Sequence, residues 1–212
     1  ICMAIVALAT GIGASTHAHA WPDRPLKFVV PYAAGSMGDN VARLLSEELR
    51  TTLGQAVVVE NLAGAGGNIG SSMVARASND GYTFLVAATN NLVVNQFLYK
   101  KLDHDPLEAF EPVTFLVDVP SVLFVQPSVG RDFQTFNAQA RERRGRLNFG
   151  SPGNGTTPHL SMQAINRMQQ WDMTHVPYQG AGPAVNALLA GEIHAYLGGA
   201  GLGLQHVVSG RI

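Results

Sequence analysis

The sequence predicts an α/β fold with mostly parallel sheets, and three observations support that prediction. Short apolar runs alternate with amphipathic helical patterns, the loops between them are rich in glycine and proline, and the alternation restarts in the second half of the chain. Because parallel strands are joined by right-handed crossovers, the loops at their carboxyl ends should share one rim and form a ligand crevice. With 212 residues, of which 46% are hydrophobic, the chain can bury a core in one large domain or two small ones.

The first half contains three predicted strands separated by helices. An apolar run ends at Pro31, a glycine-punctuated loop follows, and Asp39 is placed to cap a helix that Gly54 would terminate. A second strand, a loop with four glycines at residues 61–70 and a second helix repeat this unit. The predicted elements are strands at residues 26–30, 56–60 and 82–87, and helices at residues 41–53, 69–77 and within 89–99.

The second half repeats the alternation after a polar, proline-bounded segment at residues 103–112. Residues 113–125 have strand character that is broken at residues 118–120, and we interpret this break as the crossing between two domains, residues 21–118 and 119–212. The predicted elements are helices at residues 133–144, 160–168 and 184–189, strands at residues 147–150, 173–176 and 193–197, and a short terminal helix.

The charge balance and the cysteine content limit the possible functions. A formal net charge of −1 provides no field that would attract nucleic acid or an anionic membrane surface, so any anion must be held by local geometry. We therefore expect no nucleic-acid partner. The single cysteine, Cys2, belongs to the N-terminal apolar segment, so we expect neither a disulfide nor a cysteine metal site in the mature protein.

The first twenty residues are predicted to be an export signal. An apolar run is followed by small residues and by Ala18-His19-Ala20, a pattern typical of cleavage after Ala20, just before Trp21. The run is short for a membrane span, and the basic start of a signal is missing in a sequence that begins at Ile1. We therefore expect an exported protein whose sequence is truncated in front, which disfavours the ligand-sensing domain of a transcription regulator.

The glycine loop at residues 61–70 partly fits a dinucleotide-binding fingerprint. Gly64-Ala65-Gly66 follows a predicted strand and precedes a helix, where backbone amides can face an anion. The third glycine, Gly70, comes one residue too late, and the next strand ends without an acid for a ribose. A dinucleotide-dependent oxidoreductase remains the alternative function, whereas the absence of G-x-x-x-x-G-K-[ST] excludes a P-loop.

No arrangement of side chains predicts a catalytic site, a metal site or a bound cofactor. Ser36 and Ser151 are not part of a G-x-S-x-G motif, and the histidines show no spacing of the H-E-x-x-H kind. Asp103-His104-Asp105 is better explained as a solvated turn than as a metal cluster. We therefore predict that the protein is not an enzyme.

Several loops are rich in backbone amides and hydroxyl donors but carry no base or nucleophile. Neutral donors that converge on an anion suit the binding of a carboxylate, because hydrogen bonds to an ionised acceptor are roughly twice as strong as neutral ones. The alternative for each loop taken separately is that its glycines and asparagines only cap helices and turn the chain. These loops span residues 32–38, 63–67, 89–91, 151–157 and 178–182.

Six segments, in order and at consistent spacing, carry a family resemblance: WPDRPLKFVVPYAAG, VVVENLAGAGGNIGSSMVA, DGYTFLVA, LEAFEPVT, LNFGSPGNGTTPHL and HVPYQGAGPAVNALLAGEI. Over residues 21–211 the sequence resembles the Bug-type extracytoplasmic solute receptors of tripartite tricarboxylate transport systems. The resemblance implies a type II periplasmic-binding-protein fold of the Venus-flytrap kind, with two α/β domains that enclose a small carboxylate. It also implies a monomeric periplasmic receptor that delivers its ligand to membrane transporter subunits.

The resemblance also implies which residues bind the ligand. Two of the implied loops belong to the first domain, at residues 32–39 and 89–95. The third loop, at residues 151–159, belongs to the second domain and is flanked by Tyr178. The implied ligand-binding residues are Tyr32, Ala33, Gly35, Ser36 and Asp39, then Thr89, Asn90 and Asn95, and finally Ser151, Asn154, Gly155, Thr156, His159 and Tyr178.

Two departures from the family pattern affect these expectations. Family members usually have paired glycines followed by Ser or Thr and then Asp in the first loop, whereas this chain has Gly35-Ser36-Met37-Gly38-Asp39, so Met37 should shape the pocket differently. Family members also cross back to the first domain after a segment like HVVSGRI, where this sequence stops. We therefore expect the C-terminal return to be missing and the first domain to be incompletely packed. The loop at residues 61–70 is expected to serve as scaffold on the cleft rim.

Overall fold

The computed structural model describes residues 20–212, so the predicted export signal lies outside the described residues except for Ala20. Seven strands alternate with helices along this part of the chain. The strands are β1 (Leu26–Val30), β2 (Val57–Asn61), β3 (Thr83–Leu85), β4 (Ser121–Val125), β5 (Asn148–Ser151), β6 (Thr174–Pro177) and β7 (Ala195–Gly199). The α-helices are α1 (Met37–Leu53), α2 (Asn68–Ala75), α3 (Asn95–Leu98), α4 (Phe133–Glu142), α5 (Thr157–Gln169), α6 (Ala181–Ala190) and α7 (Leu204–Val208).

Three short helical turns complete the set of elements. A 3₁₀ turn at Ala65–Gly67 precedes α2, and another at Ala200–Leu202 follows β7. A π-helical turn at Asn90–Val94 runs directly into α3. None of the helices within residues 20–212 combines the length and the apolar character that a membrane crossing requires.

The first sheet has the strand order β2-β1-β3, and all three strands are parallel. Phe28 and Val30 of β1 are buried together with Ala42 of α1, and the ring of Phe28 meets Phe84 edge to face at 5.8 Å. Leu45 packs against the same cluster from α1. The amphipathic face of α1 is therefore what covers this side of the sheet.

The second sheet has the order β4-β7-β5-β6, with β4 antiparallel to β7 and the other pairs parallel. One core cluster contains Phe136 of α4, Met162 of α5 and Trp171, which are all fully buried. Another cluster contains Leu188 of α6 and Tyr196 of β7. Helices α4 and α5 thus contribute to one cluster and α6 to the other, so the sheet is packed against helices through two core clusters.

The predicted α/β fold with mostly parallel sheets is confirmed, but the start of α1 is corrected. Ser36, and not Asp39, is the N-cap, because its Oγ accepts a hydrogen bond from the amide of Asp39 at 3.3 Å. Asp39 lies in the first turn and its Oδ2 accepts from the amide of Gly35 at 2.8 Å. This pairing resembles a capping box, and the helix begins at Met37, four residues before the predicted start at residue 41.

The strand predicted for residues 113–125 is also corrected, because only Ser121–Val125 forms one. Residues 113–117 pair with no strand of the described chain, and the side chains of Val113 and Phe115 are 74% and 80% exposed. A strand needs a neighbour to pair its backbone groups, so an apolar run alone does not make one. The chain passes from the first sheet to the second between Leu98 and Ser121, and the division at residue 118 stays a prediction.

Candidate ligand-binding site

The loop after β1 is fixed by Asp39, which lies in the first turn of α1. Its carboxylate is 2% exposed and accepts hydrogen bonds from the amide of Gly35, from Arg43 and from the side chain of Asn61 at 2.8–3.0 Å. Burial opposes ionisation of Asp39, but the hydrogen bonds from Arg43, Gly35 and Asn61 outweigh it and keep the pKa of Asp39 below its usual value. The carboxylate therefore stays charged and fixes the loop that starts at Tyr32.

The side chain of Tyr32 connects this loop to the turn after β3. Its hydroxyl lies 2.7 Å from Oδ1 of Asn90 and 2.6 Å from Oδ1 of Asn91. Burial raises the pKa of Tyr32, so the hydroxyl remains a neutral donor. Asn91 Oδ1 also accepts from the amide of Ala88, which ties the start of the π-helical turn to the same network.

Three asparagine side chains form hydrogen bonds to one carbonyl oxygen of the glycine loop. The side-chain amides of Asn90, Asn91 and Asn95 all donate to the carbonyl oxygen of Gly66, at 2.8, 3.2 and 3.2 Å. Asn95 also donates to Oδ1 of Asn68 at 2.6 Å. The three asparagines are at most 1% exposed, so this set of hydrogen bonds is shielded from water.

The loop after β5 is braced by its own side chains. Ser151 Oγ accepts from the amide of Gly153 at 3.2 Å, and Thr156 Oγ1 donates to the carbonyl of Gly153 at 2.8 Å. The amide of Gly155 donates to Nδ1 of His159 at 3.1 Å, which requires that nitrogen to be unprotonated. Ser151 and Thr156 are buried, whereas Asn154 is exposed at the tip of the loop.

A pair of histidines lies beneath this loop. Nε2 of His175 is 2.7 Å from Ser151 Oγ, and the imidazole of His175 stacks on the imidazole of His159 and on the phenyl ring of Phe149. Burial, together with the neighbouring His159, lowers the pKa of His175 to about 4, and burial also lowers the pKa of His159. Both imidazoles are therefore neutral at pH 7.

The loops of the two sheets approach each other. A Cβ added at Gly66 would lie 3.0 Å from the carbonyl oxygen of Asn154, and one added at Gly180 would lie 3.4 Å from the Cβ of Ala33. A Cβ added at Gly155 would lie 3.1 Å from Leu98. The structure thus brings the loop after β1, the glycine loop and the turn after β3 opposite the loops after β5 and β6.

Met37 reaches the second sheet from the start of α1. A Cβ added at Gly199 would lie 3.1 Å from the Met37 methyl carbon, and one added at Gly201 would lie 3.7 Å from it. Met37 therefore lies on the rim between the two sheets, and its effect on the shape of the pocket stays a prediction.

The candidate site offers several unused donors. Within residues 20–212, the backbone amides of Tyr32, Ala33 and Ala34 have no hydrogen-bond acceptor, and neither do the side chains of Thr89 and Asn154. Unpaired amides at a loop surface are available to water or to a ligand.

The hydroxyl of Tyr178 also has no partner among the described residues, and burial, followed by the charge of Glu192, raises the pKa of Tyr178. The remaining predicted site residues take part in hydrogen bonds within the protein or, like Ala33 and Gly35, shape the loop backbone. The residues whose side chains are engaged in this way are Tyr32, Ser36, Asp39, Asn90, Asn95, Ser151, Thr156 and His159.

Sequence reasoning missed the residues that organise the loops from behind. Asn91 and His175 are absent from the predicted set, although Asn91 bonds the same carbonyl as Asn90 and His175 supports Ser151. The spacing of Asn90, Asn91 and Asn95 was the available signal. Asn91 and Asn95 are four residues apart and would share one face of an α-helix, whereas Asn90 is five residues from Asn95 and joins them through the π-helical turn.

The described residues contain no group of three or more acidic, histidine or cysteine side chains that could hold a metal ion. His104 is instead packed against Phe110 and lies within hydrogen-bond distance of Ser72, while Asp105 accepts from the amide of Leu107. A shallow depression of about 450 Å³ runs past His104, Tyr99 and Lys100, away from the loops described above. The opposed loops, with their unused donors, are chemically better suited to an anion than this open depression.

Comparison with known proteins identifies relatives of this chain. The family model of the tripartite tricarboxylate transporter family receptor, TctC, matches residues 41–212. The chain is 36% identical over 208 residues to a UPF0065 protein from the tcbD-tcbE intergenic region of Pseudomonas sp. strain P51, an alignment that covers 98% of this chain and 62% of that protein. It is 35% identical over 204 residues to protein BugT of Bordetella pertussis, with 95% and 63% covered. The chain thus spans about three fifths of the length of these relatives.

Solved structures share the fold at similar identity. Periplasmic binding protein BugD superposes with a TM-score of 0.83 at 34% identity, covering 90% of this chain and 64% of that one. A protein of Rhodopseudomonas palustris solved with adipate gives 0.83 at 33% identity, with 90% and 64% covered. MatC from the same organism, solved with malate, gives 0.80 at 32% identity, with 90% and 65% covered. The chain therefore belongs to the tripartite tricarboxylate transporter receptor family and has the fold of its Bug-type periplasmic binding proteins.

Proposed function

We propose that this chain is the ligand-capturing part of a periplasmic solute receptor that binds a small carboxylate between two α/β domains, residues 21–118 and 119–212. The observation that carries the proposal is the run of three unpaired amides at Tyr32, Ala33 and Ala34. The loop after β6 lies next to them, since a Cβ added at Gly180 would be 3.4 Å from the Cβ of Ala33. The malate and adipate bound by two relatives support the same class of ligand.

The proposed site divides its residues between contact and support. The amides of residues 32–34 and the side chains of Thr89, Asn154 and Tyr178 would face the ligand, because they are donors without partners in the described chain. Neutral donors suit a carboxylate, since charge-assisted hydrogen bonds are stronger than neutral ones. The ionised carboxylate of Asp39 lies at the start of α1, where Arg43 and two further donors, the amide of Gly35 and the side chain of Asn61, compensate its charge.

Membership of the family supports the remaining steps of the proposed function. The protein would be exported, with the signal cleaved after Ala20, and would act as a monomer that delivers its ligand to the membrane subunits of a tripartite tricarboxylate transporter. The role is that of a receptor and not of an enzyme. The contacts of the glycine loop favour a receptor over a dinucleotide-binding enzyme. Three asparagine side chains bond the carbonyl of Gly66, and a Cβ added at Gly66 would lie 3.0 Å from the carbonyl oxygen of Asn154.

A ligand panel tests the proposal. The full-length exported protein is titrated with acetate, malate, adipate and citrate while its melting temperature is recorded, because a ligand at a hundred times its Kd stabilises the folded state by about 2.7 kcal/mol. At least one carboxylate should raise the melting temperature and give a saturable calorimetric titration. The absence of any shift across the panel would remove the proposed function.

Two substitutions test the site. Asn154→Ala and Thr89→Val each remove one exposed donor, so each should weaken binding by about 1–2 kcal/mol, or roughly 5- to 30-fold. Asn40→Ala is the matched control, since Asn40 is an exposed residue on the outer surface of α1. Equal affinity of Asn154→Ala, Thr89→Val and the control would show that the ligand is bound elsewhere.

A further inference from the structure

The carbonyl oxygen of Gly66 accepts hydrogen bonds from three side chains. A carbonyl oxygen has two lone pairs, yet three buried asparagine amides converge on this one. Gly66 itself has φ of +64°, and Gly67 follows with φ of +94°. The turn at residues 64–67, called here the Gly66 turn, is therefore fixed in a backbone conformation that side chains rarely adopt.

The π-helical turn makes this convergence possible. The amide of Asn95 bonds the carbonyl of Asn90, five residues earlier, which is the defining hydrogen bond of a π-turn. The wider turn places Asn90, Asn91 and Asn95 on one face, whereas in an α-helix residue i+5 lies well away from residue i. Such turns are rare and are frequently found at functional sites.

The Gly66 turn faces the tip of the loop after β5. The Cα of Gly66 lies so close to Asn154 that an added Cβ would be 3.0 Å from its carbonyl oxygen and 2.7 Å from the hydroxyl of Tyr99. On the other side of the contact, Gly155 has φ of +76°, and a Cβ there would be 3.1 Å from Leu98. Two glycines from the two sheets thus allow the backbones to approach.

Asn95 connects the Gly66 turn to this contact. Its Oδ1 is fully buried, has no hydrogen-bond partner among the described residues, and would lie 3.8 Å from a Cβ at Gly155. A buried acceptor without a donor is unfavourable. This oxygen of Asn95 lies beside Gly155 of the second sheet. Its position therefore indicates that Asn95 serves the contact between the two sheets as well as the first sheet itself.

We infer that the Gly66 turn, fixed by Asn90, Asn91 and Asn95, is the surface against which the loop after β5 closes, and that it sets ligand affinity without touching the ligand. These are positioning residues. The inference rests on the proposed function for its effect on affinity, while the contact itself can be measured without any ligand.

Matched alanine substitutions isolate the contact from backbone strain. Gly66→Ala and Gly54→Ala introduce alanine at nearly the same φ, +64° and +66°, but a Cβ at Gly54 meets nothing within 4 Å. Gly155→Ala and Gly191→Ala form a second pair, with φ of +76° and +78°, and again only the first has a neighbour. The second pair keeps the test valid if Gly66→Ala does not fold.

The four variants are made in the full-length protein and measured in two ways. Amide hydrogen exchange of residues 151–157 without ligand should become about ten-fold faster in Gly66→Ala and Gly155→Ala than in their partners. The Kd for malate or adipate should rise about ten-fold, and the decrease in radius of gyration on binding should be lost. Gly54→Ala and Gly191→Ala should close as the unmodified protein does.

Exchange rates at residues 151–157 that are equal within each pair would overturn the inference, and so would an unchanged Kd in Gly66→Ala relative to Gly54→Ala. If the unmodified protein binds no carboxylate, the proposed function fails, and the exchange rates alone then decide whether the Gly66 turn supports the opposite loop.

Discussion

The imidazoles of His159 and His175 lie face to face, with ring centroids 4.0 Å apart and 24° between their planes. Each contacts the loop after β5 through a nitrogen, His159 through the amide of Gly155 and His175 through Ser151 Oγ. Protonation of either ring would place a positive charge against its neighbour. Protonation of His159 at Nδ1 would also remove the acceptor for the Gly155 amide.

The histidine pair should make the protein less stable in mild acid. The folded-state pKa of His175 is about 4, below the ordinary value of 6.5, so between these values the unfolded chain binds more protons. The free energy of unfolding should therefore be unaffected by His175 above pH 6.5 and should decrease as the pH drops toward 4. Melting temperatures between pH 7.5 and 4.5 should show a smaller decline for His175→Gln than for the unmodified protein. His206→Gln, on α7, is the control, and a decline equal in all three proteins would contradict the prediction.

Asp39→Ala should destabilise the first sheet strongly. The substitution leaves the amide of Gly35 without its acceptor and removes one of the two acceptors of the Asn61 side-chain amide. Charge-assisted hydrogen bonds of this kind contribute about 2–3 kcal/mol. Asp132→Ala is the matched comparison, because Asp132 is an exposed N-cap of α4 whose loss should cost about 1 kcal/mol. Urea denaturation measures both, and a cost for Asp39→Ala no larger than that for Asp132→Ala would show that the buried network is unimportant.

Tyr32→Phe should loosen the turn after β3. The hydroxyl of Tyr32 is shared by Asn90 and Asn91, so its removal should cost about 1–2 kcal/mol of stability. Tyr82→Phe removes a hydroxyl that bonds Asp23 at an exposed site, where about 0.5 kcal/mol is expected. The two variants are compared by urea denaturation, and similar midpoints would mean that Tyr32 does not hold the asparagines.

Alanine at two helical glycines should have opposite effects. A Cβ at Gly70 of α2 would lie 2.9 Å from the carbonyl oxygen of Leu62 and from Pro31, so Gly70→Ala should cost about 1–3 kcal/mol through overpacking. A Cβ at Gly182 of α6 meets nothing within 4 Å, so Gly182→Ala should stabilise by about 0.4–1 kcal/mol by restricting the unfolded chain. Thermal unfolding should show a lower melting temperature for Gly70→Ala and a higher one for Gly182→Ala. An unchanged melting temperature of Gly70→Ala would mean that α2 can move away from β1.

Local sequence patterns determined most of the elements. The strands at residues 26–30 and 147–150 and the helix beginning at Phe133 were predicted within one or two residues, because hydrophobic periodicity and caps act over a few neighbours. The run at residues 113–117 failed because its apolar pattern indicates a strand only where a neighbouring strand is available, and that depends on distant residues. The order of strands in the two sheets was likewise not determined by local pattern.

The sequence by itself determined that donor-rich loops follow the parallel strands and that no catalytic motif accompanies them. Only the tertiary structure decided which donors are used within the protein. Asn90 and Asn95 were predicted to bind the ligand, yet their amides bond the carbonyl of Gly66, 24 and 29 residues away. Hydrogen bonds between residues so far apart depend on how the strands are placed side by side, and no local pattern encodes that placement.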